Sequence, residues 1–209
     1  MKAKQGSLTR KEREFLRHRQ EIVDAALDLF SEKGFHNVTM HEIAGEAEFA
    51  VGTLYKFFAN KEDLYKALIL EKSREFHSGL LKSIESGTDE IGTVRQYLET
   101  LIAVFNKNLR FVRLYFAETR GARFNIGAGL DLELRAMHQE ILKALAKIFQ
   151  HGIRRGLFRR LDPFLLATAL DGVTHAFLIQ YLEDPEEHTF DADLIITLFF
   201  KGVVIRGKT

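Results

Sequence analysis

The chain of 209 residues contains no cysteine. That excludes a disulfide framework, a thiolate zinc site and a cysteine nucleophile. Only two prolines occur, Pro163 and Pro185, so no obligatory helix breaker interrupts the first three quarters of the chain, and a mostly helical protein is expected. No apolar run reaches the roughly 18 residues of a membrane span, and the basic start (Lys2, Lys4) is not followed by the apolar stretch of a secretory signal. The expected location is the cytoplasm, with no membrane partner. The eight histidines include no His-Glu-x-x-His spacing and no i, i+4 pair, so no metal is expected. Neither a Gly-rich phosphate loop nor a nucleophile–base pair with recognisable spacing is present. The chain therefore reads as a protein that is not an enzyme and carries no cofactor.

What is present is unevenly distributed. Residues 1–20 hold seven basic residues against two acids, residues 21–66 hold four lysines against nine acids, and the remainder is nearly balanced. The net charge of +1 thus hides a basic N-terminal arm. Such an arm suits an anionic partner, nucleic acid or a membrane surface. With 46% apolar and 28% charged residues, the composition is that of an ordinary globular protein able to bury a sizeable core.

Ile22, Ala25, Ala26, Leu29 and Phe30 stand at i, i+3, i+4, i+7 and i+8, the stripe of an amphipathic helix that Gly34 is placed to end. Thr9 followed by Glu12 has the form of a capping box, so the helix starts near residue 10. Thr39 and Glu42 repeat that box ahead of a short helix with Ile43, Ala44 and Ala47 on one face. Leu54, Phe57 and Phe58 then fall at i, i+3 and i+4, with Thr53, Tyr55 and Lys56 on the other side, and Asn60 is placed to cap a long helix to about residue 84. Helix, short helix, tight turn, short helix is the layout of a helix-turn-helix. Further helices are predicted near 90–106, 108–119, 128–155, 163–183 and 191–206. The fold class is all-α, with a helix-turn-helix domain over 1–66 and a helical domain over 67–209. Helix 163–183 is apolar nearly all round, so it is either central or packed on another subunit.

The run from Phe35 through Thr39 to Ala44, followed by Val51-Gly52-Thr53-Leu54-Tyr55-Lys56-Phe57-Phe58 and Asn60-Lys61-Glu62, resembles the DNA-binding domain of the tetracycline-repressor (TetR) family over about Ile22 to Leu68. The resemblance implies a homodimeric, two-domain, all-α transcription regulator whose C-terminal domain binds a small molecule. It places Thr53, Tyr55 and Lys56, with Val51 and Gly52, on the groove-reading segment. Hydroxyl and ammonium groups there can bond phosphate oxygens and base edges, and a glycine allows close backbone approach. Thr39 and Lys61, at helix N-termini, are expected on phosphates, with Arg10, Lys11 and Arg17 of the arm adding charge. Two positions depart from the family pattern: Glu48 stands where a turn glycine is usual, and Ala50 where a Ser or Thr often caps. A strained turn and a helix start without a side-chain cap are expected.

In the second domain the resemblance implies an effector cavity, for which the candidate lining is Phe105, Phe111, Tyr115, Phe116, Ile141 and Phe177, with His138 and His175 as polar groups. Asp171, four residues before His175, is placed to orient it. Such a lining favours a small apolar effector, flat or long. Ala169, Gly172 and Ala176, with Ile195, Leu198, Phe199 and Val203, are the candidate dimer interface. Arg154, Arg155, Arg159 and Arg160 read either as an anion site or as ordinary complements of a helix end. The reading is a ligand-responsive repressor that binds a palindromic double-stranded DNA operator as a homodimer. The alternatives are an activator, a regulator answering to a protein partner, or, in another class, a helical-bundle lipid carrier or enzyme whose basic arm meets a membrane.

Overall fold

A computed structural model describes residues 8–87, 89–120 and 128–203, without the side chains of 117–120, 128–131, 202 and 203. Lys2 and Lys4 of the arm, the side chain of Val203 and the predicted helix end at 204–206 lie outside the described residues. Those residues form nine α-helices and a short 3-10 turn at Phe35–Asn37: α1 (Arg10–Lys33), α2 (Met40–Glu46), α3 (Val51–Leu54), α4 (Lys61–Glu85), α5 (Glu90–Lys107), α6 (Leu109–Arg120), α7 (Ala128–Arg154), α8 (Pro163–Glu183) and α9 (Ala192–Val203). The all-α class expected from periodicity is the one observed.

The helix boundaries have local chemical causes. At α1, the Thr9 hydroxyl accepts from the Glu12 N–H at 3.2 Å while the Glu12 carboxylate accepts the Thr9 N–H at 2.7 Å, a complete capping box. Gly34, at φ +78°, ends the helix. The Asp162 carboxylate caps α8 by accepting the Leu165 N–H at 2.8 Å, with Pro163 in the first turn. Gly156, at φ +71°, closes α7 with bonds from its own N–H to the Ile153 carbonyl and from the Leu157 N–H to the Gly152 carbonyl, a Schellman end.

The helices pack into two compact units. The first holds the described residues up to Glu71 together with α6 from Arg110 on, so the division differs from a single cut near residue 66. Tyr65, Leu68 and Ile69 are buried in this unit, Tyr65 packing edge-on against Phe30 and Phe35. Ile22, Phe30, Ile43 and Leu54 bring α1, α2 and α3 into the same core, each no more than 1% exposed.

The second unit contains α4 from Lys72, α5 and α7 to α9. Its core includes an aromatic group in which Phe149 meets Phe158 and Phe199, and Phe158 stacks on Phe200. Glu90 is buried at the start of α5, where Arg155 donates to both of its carboxylate oxygens at 2.9 and 3.1 Å. Burial alone raises the Glu90 pKa; its bond to its own main-chain N–H and those from Arg155 and His151 outweigh this and hold it below the ordinary carboxylate range. By length and composition α8 is long and apolar enough to cross a membrane, although Asp171 interrupts its apolar run.

Three consequences are measurable by denaturant titration. A Cβ at Gly152 would lie 2.3 Å from the buried Phe158 ring, so Gly152→Ala should destabilise by about 1–3 kcal/mol. At Gly79, inside α4, a Cβ would meet nothing within 4 Å, and Gly79→Ala should stabilise by about 0.5–1 kcal/mol. Arg155→Ala should cost about 1–3 kcal/mol at neutral pH by removing the charged donor that bonds both oxygens of a buried carboxylate. A folded-state pKa below the unfolded one stabilises above the unfolded value and loses that contribution as pH falls through the folded value. The deficit of Arg155→Ala should therefore shrink as acid neutralises Glu90 in both proteins; a deficit independent of pH would show that the pair contributes packing rather than charge.

Candidate nucleic-acid interface

The first unit builds a helix-turn-helix from α2 and α3. The Thr39 hydroxyl accepts the Glu42 N–H at 3.2 Å and donates to the Glu42 carboxylate at 2.9 Å, and that carboxylate also accepts the Thr39 N–H at 2.8 Å. These bonds hold the Glu42 carboxyl below its usual pKa, the main-chain bond from Thr39 contributing most. The hydroxyl of Thr39 is thus engaged in starting α2. Lys61 is also engaged: its ammonium donates to the carbonyls of Phe35 at 2.8 Å and Val38 at 2.7 Å, and sits 4.5 Å above the Phe35 ring. Sequence placed both residues on phosphates; the structure uses them to fix the connection between α1 and α2.

The turn after α2 is a Schellman end whose left-handed residue is Glu48, at φ +58°. Its N–H bonds the Gly45 carbonyl at 3.2 Å, and the Phe49 N–H reaches back to Ala44 at 2.9 Å. Glu48 is the only non-glycine residue with positive φ among the described residues. Ala50 then starts α3 with no side-chain hydrogen bond. Both departures from the family pattern therefore have the expected local consequence. The chain stays coiled beyond Leu54, with the Phe57 and Phe58 N–H groups bonded to the Leu54 carbonyl at 2.9 and 3.0 Å.

Leu54 and Phe58 are buried, and Gly52, Tyr55 and Lys56 are exposed on the opposite side, Tyr55 at 52%. Val51 and Thr53 are half-buried beside them. α1 braces this segment: Phe15 stacks on Phe57 at 4.6 Å, His18 meets Phe49 edge-on at 5.0 Å, and Arg19 lies over the Phe58 ring while pairing with Glu71. Arg10, Lys11 and Lys56 are exposed and have no ion pair among the described residues. Arg17 approaches Glu21 only at 3.9 Å, in an exposed pair of little energetic weight. The surface therefore offers an exposed hydroxyl, a glycine main chain and unneutralised cations around one short segment.

Of the candidate effector residues, Phe111, Tyr115 and Phe116 belong to the first unit, and Phe105, His138, Ile141, His175 and Phe177 to the second. Phe111 and Ile141 are buried and His138 and His175 exposed. Asp171 approaches His138 of α7 at 3.2 Å and raises its pKa, mainly through their hydrogen bond. Asp171 thereby links α8 to α7. In the candidate dimer set, Ala169, Gly172, Ala176 and Leu198 are exposed, whereas Ile195 and Phe199 are buried in their own unit, Phe199 against Phe149. The outward large apolar residues of α9 are Leu194 and Leu198, beside the exposed Asp193, Thr197 and Lys201, and Leu165 of α8 is 60% exposed. Sequence passed over Leu165 because α8 is apolar nearly all round, and passed over Leu194 although Asp193, Thr197 and Lys201, at i, i+4 and i+8, mark the outward side of α9 beside it.

Residues 22–68, which contain α1 from Ile22 to the first turns of α4, match the family described as bacterial regulatory proteins, tetR family. They form the DNA-binding domain of a TetR-family transcriptional regulator. The chain is 28% identical over 130 residues to the fatty acid metabolism regulator protein of Bacillus subtilis (strain 168), covering 62% of this chain and 59% of that protein, about three fifths of its length. It is 25% identical over 195 residues, 91% of this chain and 94% of the relative, to the HTH-type transcriptional regulator YdgC of the same organism. Among solved structures, FadR of Bacillus subtilis in complex with stearoyl-CoA shares the fold, with a TM-score of 0.73 at 21% identity over 88% of this chain and 98% of that one.

In this TetR-type domain, Glu48→Gly should stabilise by up to about 1 kcal/mol, since a left-handed conformation costs a side-chain residue roughly 1–2 kcal/mol and glycine gives part of that back through unfolded-chain entropy. Lys61→Met should cost about 1–2 kcal/mol by leaving carbonyls without their donor, whereas Lys56→Ala should stay within about 0.5 kcal/mol of the parent. Thermal unfolding of the three variants checks this. Equal effects at 56 and 61 would contradict the assignment of Lys61 to the frame.

Proposed function

We propose that this regulator is a repressor that binds a palindromic operator as a homodimer and is released by a small, largely apolar effector. The observation that carries the DNA reading is the exposed face Gly52, Tyr55 and Lys56, set opposite the buried Leu54 and Phe58 and flanked by unpaired cations of α1. On that face Thr53, Tyr55 and Lys56, with the main chain at Val51 and Gly52, reach base edges and phosphates. Arg10, Lys11 and Arg17 add nonspecific phosphate attraction. Thr39 and Lys61 contribute through the loop they hold. The exposed apolar face formed by Leu165, Ala169, Gly172 and Leu198 is the surface on which two copies pair. Action on bacterial DNA places the protein in the cytoplasm.

The effector reading is supported by the aromatic content of the helices beyond α4 and by the fold shared with a regulator solved with stearoyl-CoA. A long-chain acyl thioester is accordingly the first class to test. Because α4 is one helix from Lys61 to Glu85, a ligand that shifts its far end changes the helix-turn-helix it begins from. Release requires the ligand to favour the DNA-incompetent state by about 1–3 kcal/mol.

The test begins with a duplex enriched by the protein from a random-sequence library. It should be palindromic, with half-sites about one helical turn or a small multiple apart, and its affinity should fall steeply with salt. Lys56→Ala, Tyr55→Ala and Thr53→Ala should each weaken binding to it in fluorescence anisotropy, by about tenfold where a base or charged phosphate contact is lost. Parental affinity in all three would remove this segment from the groove. Calorimetry with stearoyl-CoA should show weaker binding to the DNA complex than to free protein; equal affinity would rule out induction by that class.

A further inference from the structure

The two ends of α8 carry opposite charges that this chain leaves unpartnered. Before the helix stand Arg159 and Arg160, and after it Glu186 and Glu187; all four are exposed and none has an ion pair among the described residues. Residues 183–193 hold six acids and no lysine or arginine. Three of these acids have local work: Asp184 and Asp191 accept the N–H groups of Glu187 and Leu194, and Asp193 pairs with Arg95. Glu186 and Glu187 do not.

Within one helix this distribution is unfavourable. The C-terminal end of α8 bears the negative end of the helix dipole, yet it has no base in its last turn and finishes on Glu183 and Asp184. Its positive end has the N-cap carboxylate of Asp162 but no acid in the first turn, and follows Arg159 and Arg160. Between the ends, Leu165, Ala169, Gly172 and Ala176 recur at i, i+4, i+7 and i+11, one exposed stripe along a helix about 30 Å long. Gly172 lies near its midpoint, and a Cβ there would meet nothing within 4 Å. The arginines lie 12 and 13 positions before Gly172, and the glutamates 14 and 15 after it.

We propose that two copies of this chain pair α8 antiparallel about a two-fold axis near Gly172, with Arg159 and Arg160 of each copy held by Glu186 and Glu187 of the other. The proposal rests on the dimer reading above and adds what aligns the two chains. Antiparallel pairing sets Ala169 of one copy against Ala176 of the other, opposes the helix dipoles, and brings unlike charges together at both ends. Parallel pairing would bring like charges together at both ends. The apolar stripe supplies contact area, while the charged ends select orientation and partner.

The test is sedimentation equilibrium of the full chain at about 0.05 M and about 1 M salt. Two double variants are compared with the parent, Arg159→Glu with Arg160→Glu, and Glu186→Lys with Glu187→Lys. Each should dimerise about tenfold or more weakly than the parent at low salt. The difference should shrink at 1 M, where the screening length is about 3 Å. An equimolar mixture of the two should recover parental affinity as heterodimers, which also shows that both are folded. A dimeric parent with both variants dimerising equally tightly, or a mixture that fails to recover, would overturn the clamp while leaving the dimer reading intact. A parent that is monomeric throughout would overturn both.

Discussion

The ammonium group of Lys61 is the constraint on which the reading head depends. Two carbonyls from the connection between α1 and α2, at Phe35 and Val38, converge on it within 2.8 Å, and the Phe35 ring covers it. A charge-assisted bond in a half-buried place is stronger than a neutral one, and carbonyls turned inward without it would be left unsatisfied. The bond ties the first residue of α4 to the residues just ahead of α2, so the direction in which α2 leaves its Thr39 cap is set by α4. From there the Schellman end at Glu48 turns the chain and Leu54 drops into the core. The face bearing Gly52, Tyr55 and Lys56 follows from that geometry rather than from any interaction of its own.

Much of this was legible in the sequence, for a local reason. Capping boxes at Thr9 and Thr39, the stop at Gly34 and the start at Asp162–Pro163 involve residues three or four apart, and each appears as bonds in the structure. The glutamate at position 48 could be read as strained because the conformation belongs to the turn itself. Long-range pairings were not legible. Nothing near Lys61 in sequence announces that carbonyls more than twenty residues earlier will meet it. Asp171 found His138, on another helix, where sequence offered only the neighbour one turn away. In α8, apolar nearly all round, the inward face of Leu166 and Leu170 and the outward face of Leu165 and Ala169 differ only by a rotation that packing decides, whereas in α9 the exposed stripe Asp193, Thr197 and Lys201 already marks the outward side.

The two units carry different kinds of surface. The first exposes cations and a hydroxyl around a short coiled segment, as suits a phosphate-lined groove, and the sequence match to the TetR family, residues 22–68, lies within this unit. The second exposes apolar residues along α8 and α9 and places opposite charges at the ends of α8, as suits self-association. Fold similarity to a regulator solved with stearoyl-CoA extends over 88% of the chain, at an identity that supports architecture alone. α4 belongs to both units, and along it, as again between Leu109 and Arg110, the chain passes from one to the other.

Hydrogen exchange on the protein with and without its selected duplex tests the central claim most directly, because it reports where DNA touches the chain without any substitution. Main-chain amides of 50–57 should gain protection on the duplex, with smaller gains at the start of α2 and in the first turns of α1. Protection confined to the second unit, or none anywhere at a DNA concentration that saturates binding, would contradict the assignment of α3 and the turn after it to the groove.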